Sequence, residues 1–189
     1  GAIHALSSVI EKRDPFTTGH QLHVTEIALA IADEMGLDED PVAGIKFGAL
    51  IHDIGKIGSP ADILAKPSAL SDDEYEIVKC HTTDGYNILK DINFPWPIAD
   101  MAHQHHERID GTGYPQGLKG EEMCLESRIL AVADVVIAMQ SHRPYREAKP
   151  LEEVLQEIVA HKGSYYDPTV VDICVRLADA GKLTAPKKL

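Results

Sequence analysis

The chain has 189 residues, with 18 Lys+Arg against 30 Asp+Glu for a formal net charge of −12, and 44% of its residues are apolar. This suits one soluble domain over residues 1–189, because a chain of roughly 150 residues buries about 70% of the surface it exposes when unfolded. The acidic excess argues against duplex nucleic acid or an anionic membrane as partner, since both need clustered Lys and Arg, and leaves a small anionic ligand open.

In chain order, apolar residues at helical spacing predict helices over 3–13, 20–35, 41–53, 72–90, 97–107, 126–140, 150–162 and 168–180. The punctuation is helical too. Asp40 before Pro41 and Asp167 before Pro168 read as caps ahead of a proline in the first turn, and Ser71 with Glu74 reads as a capping box. Gly36, Gly163 and Gly181 read as stops. Two stretches break the pattern and read as loops: 54–70, with Gly55, Gly58, Pro60 and Pro67, and 108–120, with four glycines and a proline. A glycine-rich loop as long as the second is uncommon in a compact domain without a functional reason. With no alternating strand pattern, the expected fold class is all-α, a compact bundle of seven to eight helices. The first helix starts almost at residue 1 with no lead-in, which suggests a piece cut from a longer chain, and the polar end 184–189 reads as frayed. Cys80, Cys124 and Cys174 are odd in number and far apart, so no disulfide framework is expected and a reducing, cytoplasmic location is. No run approaches the ~20 apolar residues that span a bilayer.

Chemistry should gather around two carboxylates. Asp53 ends the apolar run 47–54 and Asp134 interrupts the apolar run 129–139. A buried carboxylate costs several kcal/mol unless it is paired, hydrogen-bonded or bound to a metal. A helix cap or a salt bridge would suffice for either alone, but His52 precedes Asp53. His20, His52, His81, His105 and His106 lie on or at the ends of four predicted helices. Any one of them would ordinarily be a surface or hydrogen-bonded core residue, yet together they can converge in a bundle core. Neighbours on a helix point about 100° apart. His105 and His106 therefore serve one site only from different sides of it, as with two ions ~3.5–4 Å apart. His103, three residues before His106, is the alternative to His105, while His4, His23, His142 and His161 read as solvated or supporting residues. With Asp53 as the bridging carboxylate and Asp134 added, the set suits two divalent first-row transition ions. Such a pair supplies hydroxide near neutral pH and stabilises charge on attacking and leaving oxygens, which is the chemistry of phosphoester hydrolysis.

Four blocks then carry a resemblance: 13–21 (RDPFTTGHQ), 52–57 (HDIGKI), 105–118 (HHERIDGTGYPQGL) and 143–146 (RPYR). In this order they resemble the HD-GYP domain of the HD phosphohydrolase superfamily, over roughly residues 3 to 180. The resemblance implies an all-helical, metal-dependent phosphodiesterase that opens cyclic di-GMP to pGpG and further to GMP. Its metal ligands would be His20, His52, Asp53, His81, His105, His106 and Asp134, holding two divalent ions. Iron or manganese is favoured, with nickel, cobalt or zinc as alternatives. Asp53 and Lys56 would be the catalytic side chains. Lys56 would also meet substrate phosphate, and Tyr114, Arg143 and Arg146 would hold the dinucleotide. Lys suits a phosphoryl group as a compact charge, and Arg as a bidentate fork. The resemblance further implies an upstream sensor or receiver domain. A diguanylate cyclase domain is the partner expected on the receptor alternative, and an exposed apolar face on the first helix would point to pairing of two copies. Phe16 stands where relatives with a third metal supply a Glu, which favours two ions, and Ile137 stands where many members are acidic. Two alternatives stay open: a non-catalytic receptor for cyclic di-GMP or for a cyclase, and hydrolysis of another cyclic or linear nucleotide.

Overall fold

The run 129–139 is apolar almost all round, and a helix with no polar face must be enclosed by others. In the computed structural model, which describes residues 1–16, 18–142 and 146–183, this run lies in helix α8 (Leu125–Gln140). Leu130, Val132, Ala133, Val136 and Ile137 of α8 are all buried. Around it pack α2 (His20–Glu34), α3 (Glu39–Ile51), α7 (Ile98–Gln104), α9 (Leu151–Ala160) and α10 (Pro168–Asp179). Val24, Ile31, Ile45, Ile158, Val170 and Leu177 close this larger core. A smaller core joins α1 (Ala2–Arg13), the far end of α3, α6 (His81–Leu89) and α7 through Ile10, Leu50, Ile51, Leu89 and Ile98. The C-terminal end of α3 lies where the two cores meet, and the histidines gather there. The described residues contain no strand, only isolated bridges at Asp110–Lys119 and Lys162–Tyr166. None of their helices is long and apolar enough to cross a membrane.

The predicted caps divide. Asp167 caps α10, accepting from the Thr169 and Val170 N–H groups, and Ser71 and Glu74 form the capping box of α5 (Asp72–Lys79). Gly36, Gly163 and Gly181 all take positive φ, the left-handed conformation that ends a helix without steric cost in glycine. Asp40 is not a cap. α3 starts at Glu39 behind Asp38, and Pro41 sits within the first turn, where its missing N–H has no intrahelical partner to lose.

Two further expectations are corrected. The helix over 72–90 is two helices, α5 and α6, meeting at Cys80. There the Cys80 N–H turns to the Ile77 carbonyl at 3.2 Å, and the Val78 carbonyl accepts from the His81 ring at 2.6 Å. A side chain inserted in the helical ladder is a recognised cause of a break, and here it aims His81 inward. The loop 54–70 contains a short 3₁₀ helix (Ile54–Gly58) and a single turn, α4 (Ala61–Leu64). The described residues thus form ten α-helical segments rather than seven or eight. Gly55 explains how the 3₁₀ helix seats: a Cβ there would collide with the His81 carbonyl oxygen and the Gly85 nitrogen of α6. Only glycine permits that approach.

Candidate metal centre

Helix ends build this site. The last carbonyls of a helix lack intrahelical donors, and three histidines supply them. His52, just after α3, bonds the Ala49 carbonyl through Nδ1 at 2.8 Å. His105, just after α7, bonds the Ala102 carbonyl at 2.9 Å, and His81, just after the α5–α6 break, bonds Val78. A carbonyl only accepts, so each Nδ1 carries a proton and each ring turns its Nε2 to the centre, as a lone pair in His81 and His105, where burial favours the neutral ring. The result is a set of acceptors facing acceptors. His81 and His105 oppose their Nε2 atoms at 3.3 Å. His52 Nε2, buried and without a hydrogen-bond partner, faces Asp53 Oδ2 at 3.5 Å and Asp134 Oδ1 at 3.8 Å. Bound cations would relieve both contacts, so the residues fit a metal ion.

The donor atoms fall into two triads that share no residue, His81–His105–His106 and His20–His52–Asp134, and a third, His52–Asp53–His105, links them. Asp53 is central. Its Oδ1 lies 3.4 Å from His81 Nε2 and 3.9 Å from His105 Nε2, while Oδ2 lies 2.9 Å from Lys56 Nζ and 3.3 Å from Gln21 Nε2. His20, in the first turn of α2 behind Gly19 at φ 74°, reaches Asp134 Oδ1 at 2.9 Å across to α8. All seven expected ligands are thus brought together. His103 is not among them. It stacks on Tyr86 with ring centres 4.6 Å apart.

Charge in the site follows from burial and pairing. Burial alone would raise the Asp53 carboxyl, but Lys56 and then His52, His81 and His105 hold it well below the usual carboxylate range. Burial likewise opposes ionisation of Asp134, and His20, His52 and His106 outweigh it and pull that carboxyl down. Desolvation dominates for the rings: it lowers His81 and His105 and, helped by His81, pushes His106 down to about 3. Carboxylates kept ionised beside imidazoles kept neutral are the protonation states that metal ligation requires.

The proposed substrate residues lie around this centre in two depressions. Lys56, held 3.1 Å from Asp14 Oδ2 as well as by Asp53, and Arg146, which donates to the Ala138 carbonyl at 2.7 Å, line one of about 460 Å³ together with Phe16 and Tyr75. Tyr114 lines a different one of about 290 Å³, its ring stacked on His106 with centres 4.9 Å apart. Arg143 lies outside the described residues. Ile137 is buried in the larger core, away from both depressions.

Sequence reasoning passed over Glu107, Asp14 and Gln21. Glu107 is completely buried, and its carboxylate accepts from the Gln116, Gly117 and Leu118 N–H groups at 2.6 to 3.1 Å. It therefore gathers the glycine loop that carries Tyr114. A charge directly before a loop rich in backbone donors was the available signal. Gly113 fits closely under that loop, since a Cβ would strike the Arg108 nitrogen and the Glu107 backbone. Asp14 and Gln21 gave no signal, because each meets its partner more than thirty residues along the chain.

The chain matches the family model described as HD domain over residues 4–170. It is 46% identical over 177 residues to a cyclic di-GMP phosphodiesterase of Thermotoga maritima, covering 93% of this chain and 48% of that protein. It is also 38% identical over 173 residues to 3'3'-cGAMP-specific phosphodiesterase 1 of Vibrio cholerae, covering 90% of this chain and 40% of that protein. The chain thus spans less than half the length of each of these curated relatives. Among solved structures, a cyclic GMP-AMP specific phosphodiesterase of Vibrio cholerae superposes with a TM-score of 0.75 at 22% identity, over 96% of this chain and 49% of that one, which shows a shared fold. With that match over most of its length, and with His52-Asp53 at the centre and Gly113-Tyr114-Pro115 in the loop beside it, the chain belongs to the HD domain family in its HD-GYP form.

Proposed function

We propose that this domain is a phosphodiesterase that opens cyclic di-GMP to pGpG and carries the product on to GMP, using two divalent transition-metal ions, iron or manganese in the first instance. The observation that carries this reading is the pair of ligand triads joined through Asp53 and bordered by the Lys56 ammonium. His81, His105 and His106 would hold one ion, His20, His52 and Asp134 the other, and Asp53 would bridge them. When bound, such ions supply a nucleophilic water at neutral pH and stabilise charge on the phosphate oxygens.

The chain's own residues do the rest. Asp14 and Asp53 fix Lys56 at the rim, where its ammonium meets an unesterified phosphate oxygen and stabilises the charge that builds as the 3′ oxygen departs. Arg146 lies in the same depression and offers a second cation to the substrate. Tyr114, stacked on His106 and fixed by the Glu107-gathered loop, gives a base a flat surface. The domain would serve as the output module of a longer cytoplasmic signalling protein.

The relative named for 3'3'-cGAMP supports a second reading, in which the same site acts on a mixed cyclic dinucleotide. Incubating the metal-supplied protein and its Asp53→Ala variant with cyclic di-GMP and with 3'3'-cGAMP, followed by chromatography, tests both. The expected result is linear product from cyclic di-GMP with the wild type and none with the variant. Turnover of 3'3'-cGAMP alone would move the assignment to the second reading, and equal turnover by the variant would overturn both.

A further inference from the structure

Beyond Tyr114, the smaller depression carries chemistry that the proposed function does not use. Tyr75, Tyr114 and Tyr165 form aromatic walls, and Lys79 and Arg108 supply two cations. Lys79 Nζ lies 4.8 Å from the centre of the Tyr75 ring and 5.3 Å from that of Tyr114. Arg108 rests 5.1 Å over the Tyr166 ring and, among the described residues, donates one hydrogen bond, to the Glu107 carbonyl at 3.1 Å. A guanidinium has five N–H donors, so the fork keeps capacity for an anion. Three acidic groups lie near these cations: Glu76 pairs with Lys79 at 2.6 Å, Asp110 lies within reach of the Arg108 charge and accepts from the Thr112 N–H and hydroxyl, and Glu107 spends its carboxylate on the loop.

Position gives this composition its meaning. Tyr75 lines both depressions, so they adjoin. One borders the candidate metal centre through Lys56, and the other borders it through His106, on which Tyr114 stacks. A ligand lying across the centre would enter both. A cyclic dinucleotide has two like halves, each with a flat base and a phosphate, and whatever recognises one half suits the other. Aromatic faces beside cations are the general means of holding a base and its phosphate.

We propose that the depression walled by Tyr75, Tyr114 and Tyr165 is a second nucleotide subsite, which holds the half of the dinucleotide that is not being cut, its base against a tyrosine ring and its phosphate on Lys79 and Arg108. The proposal rests on the reading of the centre as a cyclic dinucleotide phosphodiesterase. A contact to the uncut half is made equally before and during the reaction, so its loss raises KM and leaves kcat in place.

Steady-state kinetics of the metal-supplied protein with cyclic di-GMP and with bis(p-nitrophenyl) phosphate, a diester with no nucleotide halves, provide the test. Arg108→Ala is expected to raise KM for cyclic di-GMP about tenfold, the worth of a hydrogen bond to a charged group. Arg108→Lys should fall between the variant and the wild type, Lys79→Ala should act in the same direction, and cleavage of the chromogenic diester should be unchanged in all three. Unchanged KM for cyclic di-GMP in both alanine variants overturns the subsite while the phosphodiesterase reading stands. Equal loss on both substrates also overturns it, because the residues would then support the centre or the fold. A wild type that cleaves the chromogenic diester and leaves cyclic dinucleotides intact overturns the reading beneath it, and the subsite with that reading.

Discussion

At His52, His81 and His105 one proton decides what the ring can do. Each places it on Nδ1, against a carbonyl left over at a helix end, and each presents Nε2 to the centre. This arrangement makes the metal-free chain sensitive to acid. His81, His105 and His106 are all lowered by burial, so below about pH 6.5 the unfolded chain takes up protons that the folded chain refuses, and stability falls as pH falls. His106, at about 3 in the folded state, alone should lower stability by about 1.4 kcal/mol between pH 7.5 and 5.5. Asp53 and Asp134 act in the same sense further down: their lowered folded values give stability above the ordinary carboxylate range, and it is lost on protonation. Urea midpoints of chelator-treated protein across that range check this. A midpoint that does not move would show that the rings are not buried in neutral form.

Elements explain which parts were legible. α8, α9 and α10 fell close to their predicted bounds because their apolar spacing reports directly on burial, and Asp167 and Ser71 cap as read. The break at Cys80 was not legible. Periodicity runs through it unbroken, and its cause is a ring-to-carbonyl bond made when His81 turns to the centre. The start of α3 was misplaced because Asp40 beside Pro41 carries the same local signal as Asp38 two residues earlier. Among the elements, the glycine loop depends most on one residue. Glu107→Gln replaces a carboxylate that accepts three N–H bonds with an amide that turns one donor back on donors. The expected cost is about 2 kcal/mol, which at this chain length lowers the melting temperature by roughly 4–8 °C. Calorimetry reads the shift, and an unchanged melting temperature would mean that Glu107 does not hold the loop.

Over the whole molecule, the formal charge of −12 says little about the site. Lys56 and Arg146 line one depression beside the buried carboxylates and histidines, and Lys79 and Arg108 line the adjoining one. The acidic groups that set the total lie largely outside the two depressions. The seven proposed ligands could be named from the sequence: residue type and helical placement pointed to a bundle core with His103 open beside His105, and the resemblance implied the set of seven. Their partition into two triads around Asp53 could not, because it depends on how α2, α3, α6, α7 and α8 meet at the junction of two cores. That partition is the central claim, and the most direct test is elemental analysis of the folded protein purified without added metal and again after supply with iron or manganese. The expected content is about two transition-metal ions per chain, as a pair of ligand triads with a shared carboxylate implies. A folded chain that retains no transition metal under either condition would contradict it.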